Sequence, residues 1–339
     1  MKLSVVILNW NGEKLLEEFL PSVIANTPSK RAEIIVADNC STDNSVSLLK
    51  EKFPVVKLML FDKNYGFAEG YNKAIALVDS QYVVLLNSDV EVTPHWTDMP
   101  LRILDSDRQI AAVQPKLLSQ RNRKHFEYAG AAGGFMDMYG YPFCRGRIIT
   151  KIEPDNGQYD TQTDVLWATG ACLFIRTEVY KKEGGLDSSF FAHQEEIDMC
   201  WRLRARGYRI VYTPQSVVYH VGGATLNVES PHKTYLNFRN NLLMLYKNLS
   251  DDDLKHVMRI RYLLDCLAAI RFFITGHPKN AAAVFRARQE FKNLKKDCSE
   301  ARKANLAKII CHSLPEIMRK SLIIQFYIKR KRKFTEISF

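Results

Sequence analysis

Four apolar runs early in the chain each end on small polar or acidic side chains. SVVILNWNG carries Asn9 and Asn11, and EIIVADN ends at Asp38 and Asn39. VVKLMLF leads to Lys63, Asn64 and Gly66, and YVVLLNSD ends at Asn87 and Asp89. One such ending is ordinary, because Asn and Asp suit turns. Four in succession point to a ligand site. Asn9, Asn11 and Asp38 offer donors and acceptors suited to the base and ribose of a nucleotide. Asp89 offers a hard oxygen ligand for Mg²⁺ or Mn²⁺ bridging a diphosphate, with the Asn87 carbonyl a weaker ligand beside it. Neither GxGxxG nor GxxxxGK[ST] occurs, so the dinucleotide fingerprint and the P-loop are absent.

These ends need a scaffold that brings them together. Short, nearly continuous apolar strands alternate with amphipathic helices through the first third of the chain, which predicts a parallel sheet covered on both faces. In such a sheet, neighbouring strands present their carboxyl ends along one edge, where ligands bind. Pro94 is expected to open a further helix, and IAAVQPKLL to form another strand. Residues 120–160 show weak periodicity and read as long loops or an irregular hairpin. Order returns with the strand-like VLWATGACLFIR. EEIDMCWRLRARG then has acids in the first turn, arginines in the last and Gly207 as its stop, which suits a helix dipole. Its arginines read as a solvated basic end. From about residue 233 the chain reads as basic and mostly helical.

Composition bounds the rest. The 339 residues are 46% hydrophobic and 25% charged, an ordinary globular balance. Seven cysteines, none in a CxxC pair, predict neither a disulfide framework nor a zinc knuckle and favour a reducing cytoplasm. The amino terminus reads directly into a strand with no signal-peptide pattern. The net charge of +11 suggests anionic partners. Nucleic acid is disfavoured, since no RRM, KH or zinc-finger signature is present.

The stretches SVVILNWNG, VADNCSTDNS, NYGFAEGYNKAI, LLNSDVEV, TGACLFIR, GGLDSSFFAHQEEIDMCWRLRARGY and VYHVGGAT occur in the order found in inverting glycosyltransferases of family 2. The chain resembles that family over residues 3 to about 225. It resembles most the bacterial rhamnosyl- and galactofuranosyltransferase-like members that build surface polysaccharides. The resemblance implies an α/β GT-A fold over residues 1–232, with a basic amphipathic helical extension over 233–339. It implies that Asn9, Asn11 and Asp38 hold the nucleoside. Asn64, Gly66 and Asn72 would shape the donor pocket, with Asn87, Gly170 and Asp198 also contacting substrate. NSD stands in place of the DxD motif, so Asp89, completed by His220, would bind Mg²⁺ or Mn²⁺. EEID stands where the family has EDxD, which makes Glu196 the candidate base and Glu195 the second choice.

The activity so implied is metal-dependent inverting transfer from a nucleotide-sugar donor to a lipid-linked or oligosaccharide acceptor. The alternative is an inactive homologue that binds nucleotide sugar as a sensor or scaffold. The tail combines apolar runs with Arg and Lys. That pattern fits helices lying on an anionic membrane surface, which would make the protein peripheral at the inner face of the cell membrane. It also fits packing on the core or on another subunit of a homo-oligomer.

Overall fold

A computed structural model describes residues 1–222 and 230–339. Its first part is a run of β/α units. β1 (Leu3–Asn9), α1 (Glu13–Asn26), β2 (Ala32–Asp38), α2 (Ser45–Lys52), β3 (Lys57–Leu60), α3 (Gly66–Ala76) and β4 (Tyr82–Leu86) follow one another. β1 pairs parallel with β2 and with β4, and β2 pairs parallel with β3. Every residue of β4 is buried, because helices cover both faces of the sheet.

The short β5 (Val90–Val92) precedes α4 (Asp98–Ser106) and β6 (Ile110–Ser119). The helix expected at Pro94 begins four residues later. His95 has a φ of 63°, and a left-handed residue there cannot continue a right-handed helix. Residues 120–160 are not simply loops. They build β7 (Gly134–Asp137), β8 (Pro142–Cys144), β9 (Arg147–Ile148) and β10 (Lys151–Ile152), four strands of a second sheet. These strands are too short to show a period of two in the sequence.

β11 (Thr163–Asp164), β12 (Cys172–Arg176), α5 (Thr177–Lys182), α6 (Glu195–Ala205) and β13 (Arg209–His220) complete the first part. The large sheet has nine strands in the order β11-β13-β6-β12-β4-β1-β2-β3, with β5 on β13. β12 runs antiparallel between β4 and β6. The two apolar stretches around Pro214 form one strand whose register shifts between Thr213 and Val217, as a residue without an N–H requires.

α7 (Pro231–Asn248), α8 (Asp251–Ile274), α9 (Pro278–Asp297) and α10 (Ser299–Leu306) follow. Helix does not continue to the end. β14 (Ile317–Met318) joins the second sheet parallel to β7. The Asp137 carboxylate accepts from the N–H groups of Tyr139, Tyr141 and Leu322 at 3.0, 2.8 and 2.7 Å. Phe334 and Phe339 pack on Phe135, with ring centroids 5.0 and 5.3 Å away.

The arginines at the end of α6 are not solvated. Arg202 and Arg204 are buried. Arg204 pairs with Glu316 from the tail, and Arg206 with Glu183. The tail supplies a covering that the helix sequence alone does not reveal.

Candidate active site

The polar strand ends form a continuous rim. At the ends of β1 and β2, Asn9 Nδ2 donates to Asp38 Oδ2 (2.9 Å), and Ser41 N donates to Asp38 Oδ1 (2.8 Å). Asn11, in the left-handed region at φ 50°, donates from its N–H to Ser41 Oγ and accepts from Thr42 N (2.8 and 2.7 Å). Asn9 Oδ1 is buried and has no partner among the described residues. A Cβ on Gly12 would stand 2.3 Å from that oxygen and 3.8 Å from Ser88 Oγ, so Gly12 keeps the place open and links this end of the rim to NSD.

The rim continues through Asn39, which donates to Asn64 Oδ1 and to the Gly66 carbonyl, both at 3.0 Å. Asn64 Oδ1 also accepts from Gly66 N (2.8 Å). Gly66 has φ +75°, and a Cβ there would meet the Phe191 ring at 2.5 Å. Glycine therefore lets the start of α3 touch the segment before α6. That segment is itself strained, with Phe191, His193 and Gln194 all at positive φ. Such outliers persist only where their surroundings over-determine them. Here α7 does so: Asn240 Nδ2 donates to the carbonyls of Phe190, Ala192 and His193 at 3.0, 2.8 and 2.7 Å.

The strained segment delivers Glu195 and Glu196. Each has a buried Oε2 without a partner among the described residues. Burial pushes Glu195 well above the usual carboxylate range, with the Glu196 charge adding to it. Burial also raises Glu196, against backbone N–H groups that include Gly170's. The dipole of a helix N-terminus favours ionised carboxylates, and desolvation here overrides it. Gly170 and Ala171 precede β12, and Asn87 N donates to the Ala171 carbonyl (3.0 Å). Asn87 Nδ2 lies 3.5 Å from His220 Nε2, and Asp89 Oδ1 lies 3.1 Å from the same nitrogen. The circuit is complete: Asn9, Asn11, Asp38, Asn64, Gly66, Glu195, Glu196, Gly170, Asn87, Asp89 and His220 border one region at the carboxyl ends of the parallel strands.

Two expected residues are engaged elsewhere. Asn72 bonds Leu186 O, Leu186 N and Tyr180 OH at 2.6, 3.0 and 2.7 Å, tying α3 to the loop before the strained segment. Asp198 is fully buried, with its oxygens taken by Arg202 Nε and Asn248 Nδ2, both at 2.8 Å. It anchors α6. The part of VYHVGGAT beyond Gly222 lies outside the described residues.

Glu127 is the residue sequence reasoning missed. It is buried, with Oε1 3.3 Å from His220 Nδ1, so the imidazole stands between two carboxylates. Burial disfavours the imidazolium, but Glu127 and Asp89 outweigh it and raise the pKa to about 10. Burial likewise opposes ionisation of Asp89, and the His220 charge and hydrogen bond hold it below the usual range.

A ligating imidazole is neutral, so this donor set fits a divalent cation that takes the place of the Nε2 proton. Two cis ligands of an octahedral ion at roughly 2.1 Å stand about 3 Å apart, as Asp89 Oδ1 and His220 Nε2 do. A carboxylate behind the second nitrogen is the usual support for a ligating histidine. Among the described residues no three His, Cys, Asp or Glu side chains form a closed metal cage. Mg²⁺-like ions commonly take one or two protein ligands and complete their shell with water and substrate phosphates.

The fold is shared with proteins of known structure. A mannosyltransferase from Pyrobaculum calidifontis, solved with GDP-Man and Mn²⁺, superposes with a TM-score of 0.52 at 14% identity over 91% of this chain and 85% of its own. GalNAc-T7, solved with UDP, GalNAc and Mn²⁺, gives 0.57 at 19% identity over 75% and 49%. The shared architecture is the GT-A fold. In sequence, the N-acetylglucosaminyl-diphospho-decaprenol L-rhamnosyltransferase of Mycobacterium tuberculosis is 26% identical over 64% of this chain and 75% of its own length. Rhamnosyltransferase WbbL of Escherichia coli is 24% identical over 64% and 82%. The O-antigen biosynthesis protein RfbC of Myxococcus xanthus is 27% identical over 68% of this chain, which spans only 18% of that longer protein. The profile of glycosyl transferase family 2 matches residues 4–183, from the first strand through Asp38, Asp89 and Gly170, and by that match the chain belongs to the family and is a glycosyltransferase.

Proposed function

We propose that the enzyme moves a sugar of the rhamnosyl class, with inversion, from a nucleoside-diphosphate sugar to a hydroxyl of a lipid-linked saccharide during cell-surface polysaccharide synthesis. The observation that carries this reading is the pair of oppositely tuned carboxylate groups on one rim: Asp89 bound to His220 at one end, Glu195 and Glu196 without a cation at the other. The rhamnosyl class and the lipid-linked acceptor are supported by the relatives from Mycobacterium tuberculosis and Escherichia coli.

The rim divides the work. Asn9 Oδ1, unengaged above Gly12, is free to accept a hydrogen bond from the nucleoside, while Asp38 is held in place by Asn9 and Ser41. Glu196 takes the proton of the acceptor hydroxyl as its oxygen attacks the anomeric carbon. The bond from that carbon to the diphosphate oxygen breaks, and the nucleoside diphosphate leaves with the electron pair. A raised pKa makes Glu196 a stronger base once ionised than an exposed carboxylate would be. Mg²⁺ or Mn²⁺ held by Asp89 and His220 would supply Lewis-acid neutralisation of the leaving diphosphate. Glu127 fixes the imidazole ring so that Nε2 faces Asp89.

The test is a thermal-shift screen of UDP-, dTDP- and GDP-sugars with Mn²⁺, followed by transfer assays on a polyprenyl-diphosphate-linked N-acetylglucosamine. Binding with product of inverted anomeric configuration is expected. Binding without turnover on any acceptor would favour the scaffold reading instead.

A further inference from the structure

Helix α8 is built inside out. The residues it buries include a charged pair, Arg261 and Asp265, with side chains 2% and 0% exposed. Arg261 donates to the Tyr139 carbonyl (2.9 Å) and to Asn241, and Arg288 of α9 pairs with Asp265. The outer face carries Leu263, Leu267, Ile270, Phe273 and Ile274, exposed by 59, 62, 54, 69 and 76%. The positions 263, 267, 270 and 274 follow the 4-3-4 spacing of one helical stripe. A soluble helix does the reverse, keeping its apolar stripe inside and its charges in water. The polar network beneath α8 is well partnered, so the orientation is specified, and the stripe outside is a second apolar face that none of the described residues covers.

What surrounds the stripe identifies its occupant. Arg271 reaches Tyr327, which links the segment 324–328 to the last turns of α8, and Ile328 of that segment is 73% exposed. Exposed Lys329 and Arg330 follow at once, and exposed Arg259 and Arg271 flank the stripe on α8. An apolar helical face bordered by clustered cations matches the chemistry of an anionic bilayer surface. A second copy would bring these cations against their own images, a like-charge arrangement that opposes association. No described helix is long and apolar enough to cross a membrane, so the contact is one of lying on the surface.

We infer that the outer face of α8, with residues 324–330, docks on an anionic lipid bilayer. The inference rests on the transferase reading for its purpose, since a lipid-linked acceptor is met at a bilayer, but its test needs neither donor nor acceptor. The buried face of α8 connects to the rim through Arg261 and Asn241, whose Nδ2 donates to Gln194 Oε1 beside Glu195 (2.9 Å).

Flotation of the full chain with phosphatidylcholine vesicles, with and without phosphatidylglycerol, tests this. The protein is expected to float with the anionic vesicles and to be released by high salt. The combined variant Leu267→Gln, Ile270→Gln, Ile274→Gln should partition roughly tenfold or more weakly. Lys329→Gln with Arg330→Gln should weaken binding about fivefold per charge, on the anionic vesicles only. Thermal unfolding of each variant should match the wild type, because all five side chains are exposed. Failure of the wild-type protein to float, or a dimer in solution abolished by the same apolar substitutions, would overturn the inference. Flotation without sugar transfer would leave it standing and count against the transferase reading alone.

Discussion

The two ends of the rim handle buried carboxylates in opposite ways. At the Asp89 end, burial opposes ionisation but a histidine wedged between Asp89 and Glu127 supplies the balancing charge, and the Asp89 pKa falls. At the Glu196 end, buried Glu195 stands beside partly buried Glu196 with no cation on them among the described residues, and both pKa values rise. Desolvation acts at both ends, yet one holds an anion and the other a proton-binding group, and the neighbouring charge decides which. That contrast supports the proposed division of roles, in which one end would receive a cation with a diphosphate and the other a proton from a hydroxyl.

The largest break in that contrast is Glu196→Gln. It removes the proposed base, so turnover should fall by about 10²–10⁴-fold, while nucleotide-sugar affinity measured by calorimetry stays near wild type. Wild-type turnover would move the base elsewhere. At the other end, EDTA should stop transfer and Mn²⁺ restore it. Glu127→Gln should weaken Mn²⁺ binding by roughly 10–100-fold, the range seen when support behind a ligating histidine is lost. That loss is readable by calorimetry without any turnover. Unchanged affinity would reduce Glu127 to a packing role. The smallest effect concerns stability. The folded-state pKa of Glu195 lies above its unfolded value, so the folded chain holds that proton more tightly. Its contribution is fully present below the unfolded pKa and is lost as pH rises through the raised one. Glu195→Gln cannot suffer that loss, and its Tm should exceed wild type above the raised pKa and approach it in acid. A Tm below wild type at both extremes would contradict the charge accounting.

The strand ends were legible in the sequence because a parallel sheet has few ways to arrange them. Once four apolar runs alternate with helices, Asn9, Asp38, Asn64 and Asp89 must fall on one edge. Asp198 was less legible. Its pairing with Arg202 can be read at i,i+4, but Asn248 comes from a helix fifty residues away and takes the other oxygen. Glu127 was illegible for a similar reason. It sits in the connection between β6 and β7, which has no periodicity, and its partner His220 lies 93 positions further on. The arginines of α6 looked solvated because Glu316, which covers Arg204, belongs to the far end of the chain. Pattern reports what a segment does for itself and is silent about what a distant segment does to it.

Among the ties between the two parts of the chain, one amide aims the glutamates. Asn240 holds three carbonyls of the segment that presents the glutamates, and it belongs to the first of the four late helices. Anyone grafting this catalytic unit onto a different carboxyl-terminal region should therefore place the junction after residue 248. A splice made at 232 would carry every motif of the family across and leave the glutamates without the clasp that aims them.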